Sequence, residues 1–154
     1  MLKPRTIIFD YETLDAIADS YIPLLAIAFM LIIVKSGFRS QWQVTGLRLV
    51  SLLGGLSITY GLMLLDNLSH IASVYGLDYS THTAVALVLT YCLVFNSGYP
   101  KSWLLSFIAY LLLMLYQRYH TLSDIIVTGT IVGFFTYWLF RGLYRQRLRS
   151  IFNQ

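Results

Sequence analysis

The stretch LRLVSLLGGLSITYGLMLL, residues 47–65, decides the fold class. It runs 19 residues with a single charge, Arg48, at its edge. A helix that crosses the hydrocarbon of a bilayer needs about 20 predominantly apolar residues. Four more apolar runs flank it, at 20–34, 81–95, 102–116 and 122–140. The runs at 81–95 and 102–116 are short, and their flanking Tyr, Trp and Ser residues suit the two membrane–water interfaces. Composition agrees: 57% of the 154 residues are hydrophobic and 12% are charged. A soluble domain carries about 25% charged residues. These features predict an all-α polytopic membrane bundle of about five transmembrane helices.

The separators divide the same runs. Lys35-Ser-Gly-Phe-Arg39-Ser-Gln parts the first two, and Asn96-Ser-Gly-Tyr-Pro100-Lys101 marks a tight turn. Residues 66–80 form the longest expected loop. No internal repeat or low-complexity tract divides the chain, so 1–154 reads as one membrane domain. Residues 1–19 form an acidic outer segment, either amphipathic and surface-lying or leading into the first span. Residues 20–140 form the bundle, and 141–154 a basic tail.

Loop charges orient it. With five spans, Lys35, Arg39, Arg48, Lys101, Arg141, Arg145, Arg147 and Arg149 share one side, while Lys3, Arg5 and Arg118 lie on the other. All seven acids, Asp10, Glu12, Asp15, Asp19, Asp66, Asp78 and Asp124, fall on that second side. The positive-inside rule puts the N-terminus outside and the tail in the cytoplasm. The basic tail is a topology determinant and a contact for anionic lipid, so no nucleic-acid partner is expected. No cleavable signal is evident, since no small-residue cleavage site follows the first run. The compact chain points to a bacterial inner membrane. Cys92 stands alone in mid-span, without a disulfide framework or a cysteine metal site.

Two histidine motifs then fall on the outer side. Ser80-Thr81-His82 opens the third run, where free backbone N–H groups and the positive helix end suit a phosphate. A histidine in that first turn is placed to protonate a leaving oxygen. The plainer reading makes Ser80 a helix cap. Arg118-Tyr-His120-Thr-Leu-Ser-Asp124 opens the last run. The i, i+4 spacing puts His120 and Asp124 on one helical face, where the acid orients the imidazole and stabilises its cation. Arg118 adds a fork suited to phosphate oxygens. Here the plainer reading makes Asp124 a cap paired with Arg118. Gly54, Gly55, Gly61, Gly129 and Gly133 are expected to allow close helix contacts.

The two motifs resemble those of the type 2 phosphatidic acid phosphatase superfamily, which carries P-S-G-H at one span and S-R, five residues, then H-x-x-x-D at the last. Ser80 and His82 match the first, His120 and Asp124 the second, and the resemblance covers roughly residues 78–133. It is similar also to the Y-S-G-H-T and H-Y-T-V-D motifs of sphingomyelin synthases. The resemblance implies that His120 attacks phosphorus, that Asp124 orients His120, and that His82 protonates the departing group and later activates water. Ser80, Thr81 and Arg118 would hold phosphate oxygens, with no metal and no cofactor. The implied substrate is a lipid phosphate or phospholipid. Tyr79 replaces the family's proline and Thr81 its glycine. Met114 stands where an arginine is usual, Thr128 where a glycine is usual, and the K-x-x-x-x-x-x-R-P motif has no counterpart, since residues 66–79 hold no Lys or Arg. Two other readings compete: a haem-binding membrane protein with His82 and His120 as axial ligands, and a non-catalytic lipid-binding member of the fold.

Overall fold

The computed structural model describes residues 11–152, with side chains to Arg145. The described chain is an all-α bundle: α1 (Tyr11–Phe38), α2 (Trp42–Ser69), the single turn α3 (Ile71–Val74), α4 (Thr81–Asn96), α5 (Pro100–Tyr116) and α6 (Leu122–Phe152). Three helices are long and apolar enough to cross a membrane: α1, α2 and the 24 residues of α6 up to Arg145. The shorter α4 and α5 are apolar over 16 and 17 residues.

The helices outrun the apolar runs that announce them. The second run ends at Leu65, yet α2 continues to Ser69 because each polar residue there still donates its amide one turn back. His70, left-handed at φ 53°, ends it with an amide bond to the Asp66 carbonyl. The expected loop at 66–80 therefore shortens to 75–80 plus α3. Of the expected segment at 1–19, residues 11–19 are the first turns of α1 and so lead into the first long helix, and residues 1–10 lie outside the described residues. The expected tail at 141–154 continues α6 as helix through Phe152, while residues 153–154 lie outside the described residues.

Long-range hydrogen bonds fix how the helices run. Ser36 meets Thr45 across the α1–α2 connection, and the Tyr79 hydroxyl donates to the Thr59 carbonyl, so α2 is antiparallel to both α1 and α4. Burial, then repulsion from the Asp66 carboxylate, pushes the Tyr79 phenol to about 12, which keeps it a protonated donor. Ser80 meets Thr128 and Asn96 meets Tyr144, so α4 and α6 are parallel. Tyr21 meets Ser106, setting α5 against α1. The start of α1, the ends of α2 and α5, and the starts of α4 and α6 consequently share one end of the bundle. Every described acid lies at this acidic end, and Lys35, Arg39, Arg48 and Lys101 gather at the opposite, basic end.

Helix α4 occupies the centre and packs against α1, α2, α5 and α6. Nine of its 16 residues are buried, from Thr83 to Leu93. A helix apolar on every side belongs in such a position. The surrounding helices turn Leu24, Leu31, Leu53, Leu105 and Phe134 outward, each more than half exposed. A large apolar exterior around a modest core suits hydrocarbon as solvent.

Gly54 and Gly55 bring α2 against its neighbours. A Cβ on Gly55 would lie 2.5 Å from Val88 Cγ1, and one on Gly54 would lie 2.8 Å from a Leu139 methyl. Gly133 sits against Leu87, whereas Gly61 has open space beside it. Gly61 is therefore not a packing glycine, in contrast to the expectation. Val88 is fully buried, so a side chain on Gly55 must displace packed core atoms. Gly55→Val is expected to destabilise the protein by about 2 kcal/mol through overpacking. Thermal melting in detergent should show the loss, with partial recovery in Gly55→Val/Val88→Ala.

Candidate active site

The acidic end gathers both histidine motifs around the connection between α5 and α6. Helix α5 closes with a Schellman arrangement: Tyr119 N–H bonds the Met114 carbonyl at 3.2 Å and Arg118 N–H bonds the Leu115 carbonyl at 3.1 Å. Arg118 takes the left-handed position at φ 58°, where glycine is usual. A non-glycine residue there costs about 1 kcal/mol. Ser40 and His70 adopt the same backbone at other helix ends.

Helix α6 then starts with a reciprocal cap. The Asp124 amide donates to Thr121 Oγ1 at 3.2 Å, and Asp124 Oδ2 accepts from the Thr121 amide at 2.9 Å and its hydroxyl at 2.7 Å. This is a capping box with aspartate in the position of the usual Glu or Gln. Asp124 Oδ1 accepts the Asp78 amide at 2.8 Å, tying the segment before α4 to the start of α6. Asp124 is 5% exposed. Among the described residues its hydrogen bonds go to Asp78 and Thr121 and none to His120. The pair is therefore not hydrogen-bonded as a histidine–aspartate dyad is, although His120 is an electrostatic neighbour of the Asp124 carboxylate.

His120 is half-buried and Arg118 exposed. With Asp78, Tyr119, Thr121 and Asp124 they line an open depression of ≈ 420 Å³. His82 is exposed in the first turn of α4. Its ring lies 6.5 Å from that of Tyr119, centroid to centroid, with the planes 26° apart. The Tyr119 hydroxyl donates to the Asp15 carboxylate, and the Tyr11 hydroxyl donates to the Gln117 carbonyl at 3.0 Å. The first turns of α1 thus brace the connection that carries Arg118 and His120.

Ser80 and Thr81 stand apart from this depression. Ser80 is fully buried, caps α4 by accepting the Thr83 amide, and donates to Thr83 Oγ1 at 2.8 Å. Thr81 is half-buried and its hydroxyl contacts Met63 sulfur at 3.6 Å. Their side chains serve packing and capping, and a ligand would meet the first turn of α4 through its backbone. Asp66 Oδ1 accepts the Ala72 amide at 2.8 Å. Among the described residues no group of three or more His, Cys, Asp or Glu side chains is placed to hold a metal ion.

Tyr119 and Asp15 are the site residues that sequence patterns do not single out, because their contact spans 104 positions with no periodicity to announce it. The Thr121–Asp124 spacing, by contrast, is a legible capping signal. No protein-family model, curated protein or solved structure matches the chain.

Proposed function

We propose that this chain is a membrane lipid-phosphate phosphatase or headgroup phosphotransferase that works through a phosphohistidine. The observation that carries the reading is the approach of the His82 ring, 6.5 Å between centroids, to Tyr119, which lies between Arg118 and His120 and with them lines an open depression. In this scheme a ring nitrogen of His120 attacks phosphorus while Arg118 holds the phosphate oxygens. The bond from phosphorus to the ester oxygen breaks, and His82 gives its proton to the departing oxygen. Water, or a second alcohol, then attacks the phosphohistidine as His82 takes its proton, and His120 is released. Hydrolysis and transfer differ only in which nucleophile arrives.

A neighbouring apolar cavity favours an amphiphilic substrate. It measures ≈ 260 Å³ and lies between α2, α3 and α6, lined by Leu62, Leu65, Ile71, Val127 and Ile131 among others. Asp78 borders both this cavity and the polar depression. An acyl chain would lie in the first while its phosphate occupies the second. The charge asymmetry favours an orientation with the acidic end outside, facing the periplasm if the membrane is a bacterial inner membrane.

Purified protein in detergent should release phosphate from phosphatidic acid, or headgroup from a phosphodiester lipid, with equal rates with and without EDTA. His82→Ala should slow release by about 10²-fold, and less for a p-nitrophenyl ester whose leaving group needs no proton. Absence of release from every substrate, or release indifferent to the substitution, would overturn the reading. A Soret band in the purified protein would instead support haem ligation.

Arg118 allows a test that separates strain from function. Arg118→Gly fits the left-handed backbone, so its melting temperature should equal or exceed that of the parent protein. Removing the charged donor should still lower kcat/KM by about 10²-fold. A variant as active as the parent would remove Arg118 from the site.

A further inference from the structure

We propose that the basic end of the bundle carries a second, separate binding site for a phosphate-bearing anion. A cavity of ≈ 320 Å³ opens there, at the lower end of the about 300–1,000 Å³ usual for small-ligand sites. Lys35, Arg39, Arg48, Gln41, Asn96 and Ser97 are among the residues that line it. They come from four places in the chain: the last turn of α1, the α1–α2 connection, the body of α2 and the α4–α5 turn.

A topology signal requires only positive charge somewhere in a loop. It does not require three cations from separate elements to converge on one concavity. None of the lining residues is a carboxylate, and every described acid lies at the other end of the bundle. Like charges gathered this closely repel one another, and an anion between them turns that repulsion into attraction.

The floor of the cavity is built rather than incidental. Arg48 is half-buried, its Nε donating to Asn96 Oδ1 at 3.0 Å and a terminal nitrogen to the Ile32 carbonyl at 3.2 Å. Asn96 is itself held, its amide donating to the Cys92 carbonyl at 2.8 Å and to the Tyr144 hydroxyl. Asn96 and the Ile32 carbonyl thus fix where the guanidinium sits beside the cavity. Ser97 is fixed by the Trp103 indole, which donates to its hydroxyl at 2.8 Å. Lys35 and Arg39 are exposed at the mouth, free to close on a ligand. An anionic lipid headgroup and free phosphate share the chemistry this arrangement recognises.

Calorimetric titration of the full-length protein in nonionic detergent tests the site at constant ionic strength. One arm uses dioctanoyl phosphatidylglycerol with dioctanoyl phosphatidylcholine as control. The other uses sodium phosphate with sodium chloride as control. In an Arg118→Gly/His82→Ala/His120→Ala background, which removes the side chains proposed to hold phosphate at the histidine site and so separates the two sites, saturable one-to-one binding is expected for at least one anionic probe and for neither control. Tighter binding of phosphatidylglycerol by tenfold or more identifies a lipid headgroup, and equal binding identifies phosphate itself. Lys35→Gln/Arg39→Gln should weaken binding at least tenfold, and Arg39→Glu alone should do so without altering the fold. Absence of saturable binding, or undiminished binding in Lys35→Gln/Arg39→Gln, would overturn the proposal.

Discussion

His120→Ala is expected to reduce phosphate or headgroup release by at least 10³-fold while leaving the melting temperature within a degree or two of the parent. The catalytic half of that expectation follows from the proposed role. A nucleophile that forms the covalent intermediate has no substitute, and residual turnover would reflect binding and positioning alone. The stability half follows from the structure: the half-buried imidazole lines an open depression and makes no hydrogen bond among the described residues. A phosphorylated intermediate gives an independent readout. Brief exposure to a radiolabelled lipid phosphate, followed by alkaline quenching, should leave label on the parent protein that is stable to base and labile to acid, as a phosphoramidate is. His120→Ala should carry none, and His82→Ala should retain label longer because the second proton transfer is slowed. Label on the Ala variant would exclude His120 as the nucleophile.

Asp124→Ala should fail in a different way. Its carboxylate accepts the Asp78 amide, the Thr121 amide and the Thr121 hydroxyl while 5% exposed. Removing it strands those donors at a protein interior. Leaving a buried donor without a partner costs about 1–3 kcal/mol, and hydrogen bonds to a charged group are at the strong end. A loss of about 3 kcal/mol is expected, with α6 fraying at its start and the Asp78 segment released from it. Thr121→Ala keeps the Thr121 and Asp78 amides donating to the Asp124 carboxylate and loses only the two bonds of the hydroxyl, the cap among them, so about 1 kcal/mol is expected. Asp124→Asn retains one acceptor oxygen and should fall between. Melting curves rank the three variants. Activity of all three, measured below their melting points, then distinguishes loss of the His120 platform from global unfolding. An Asp124→Ala protein that melts with the parent would contradict the fastening role.

The bundle was legible because apolar runs separated by Gly, Pro and charge describe helices in a lipid-like solvent directly. Leu47 to Leu65 sits well inside α2, and the turn expected at Asn96 to Lys101 falls where α4 gives way to α5, with residues 97–99 between them. Helix ends were less legible. Ser69 and Phe38 extend their helices through backbone bonds, to which hydropathy is blind. At the candidate site, the residue types were visible but their partners were not. The i, i+4 relation of His120 and Asp124 directed attention along the helix, whereas Asp124 turns back three residues to Thr121 and across 46 to Asp78. Ser80 illustrates the reverse case, since its role as a cap was readable from its position before an apolar run.

The central placement of α4 bears on how the protein is made. Its buried Thr83 and Thr90 hydroxyls and its Asn96 amide are satisfied by bonds that include a partner on α6. A nascent chain emerging from the ribosome holds α4 and α5 before α6 exists. During that interval α4 has no α6 to lean on, and the Asp78 amide has no carboxylate to receive it. The acidic end therefore completes only once α6 is synthesised, so a chain released before α6 would carry both histidines without the Asp124 carboxylate that fastens the segments around them.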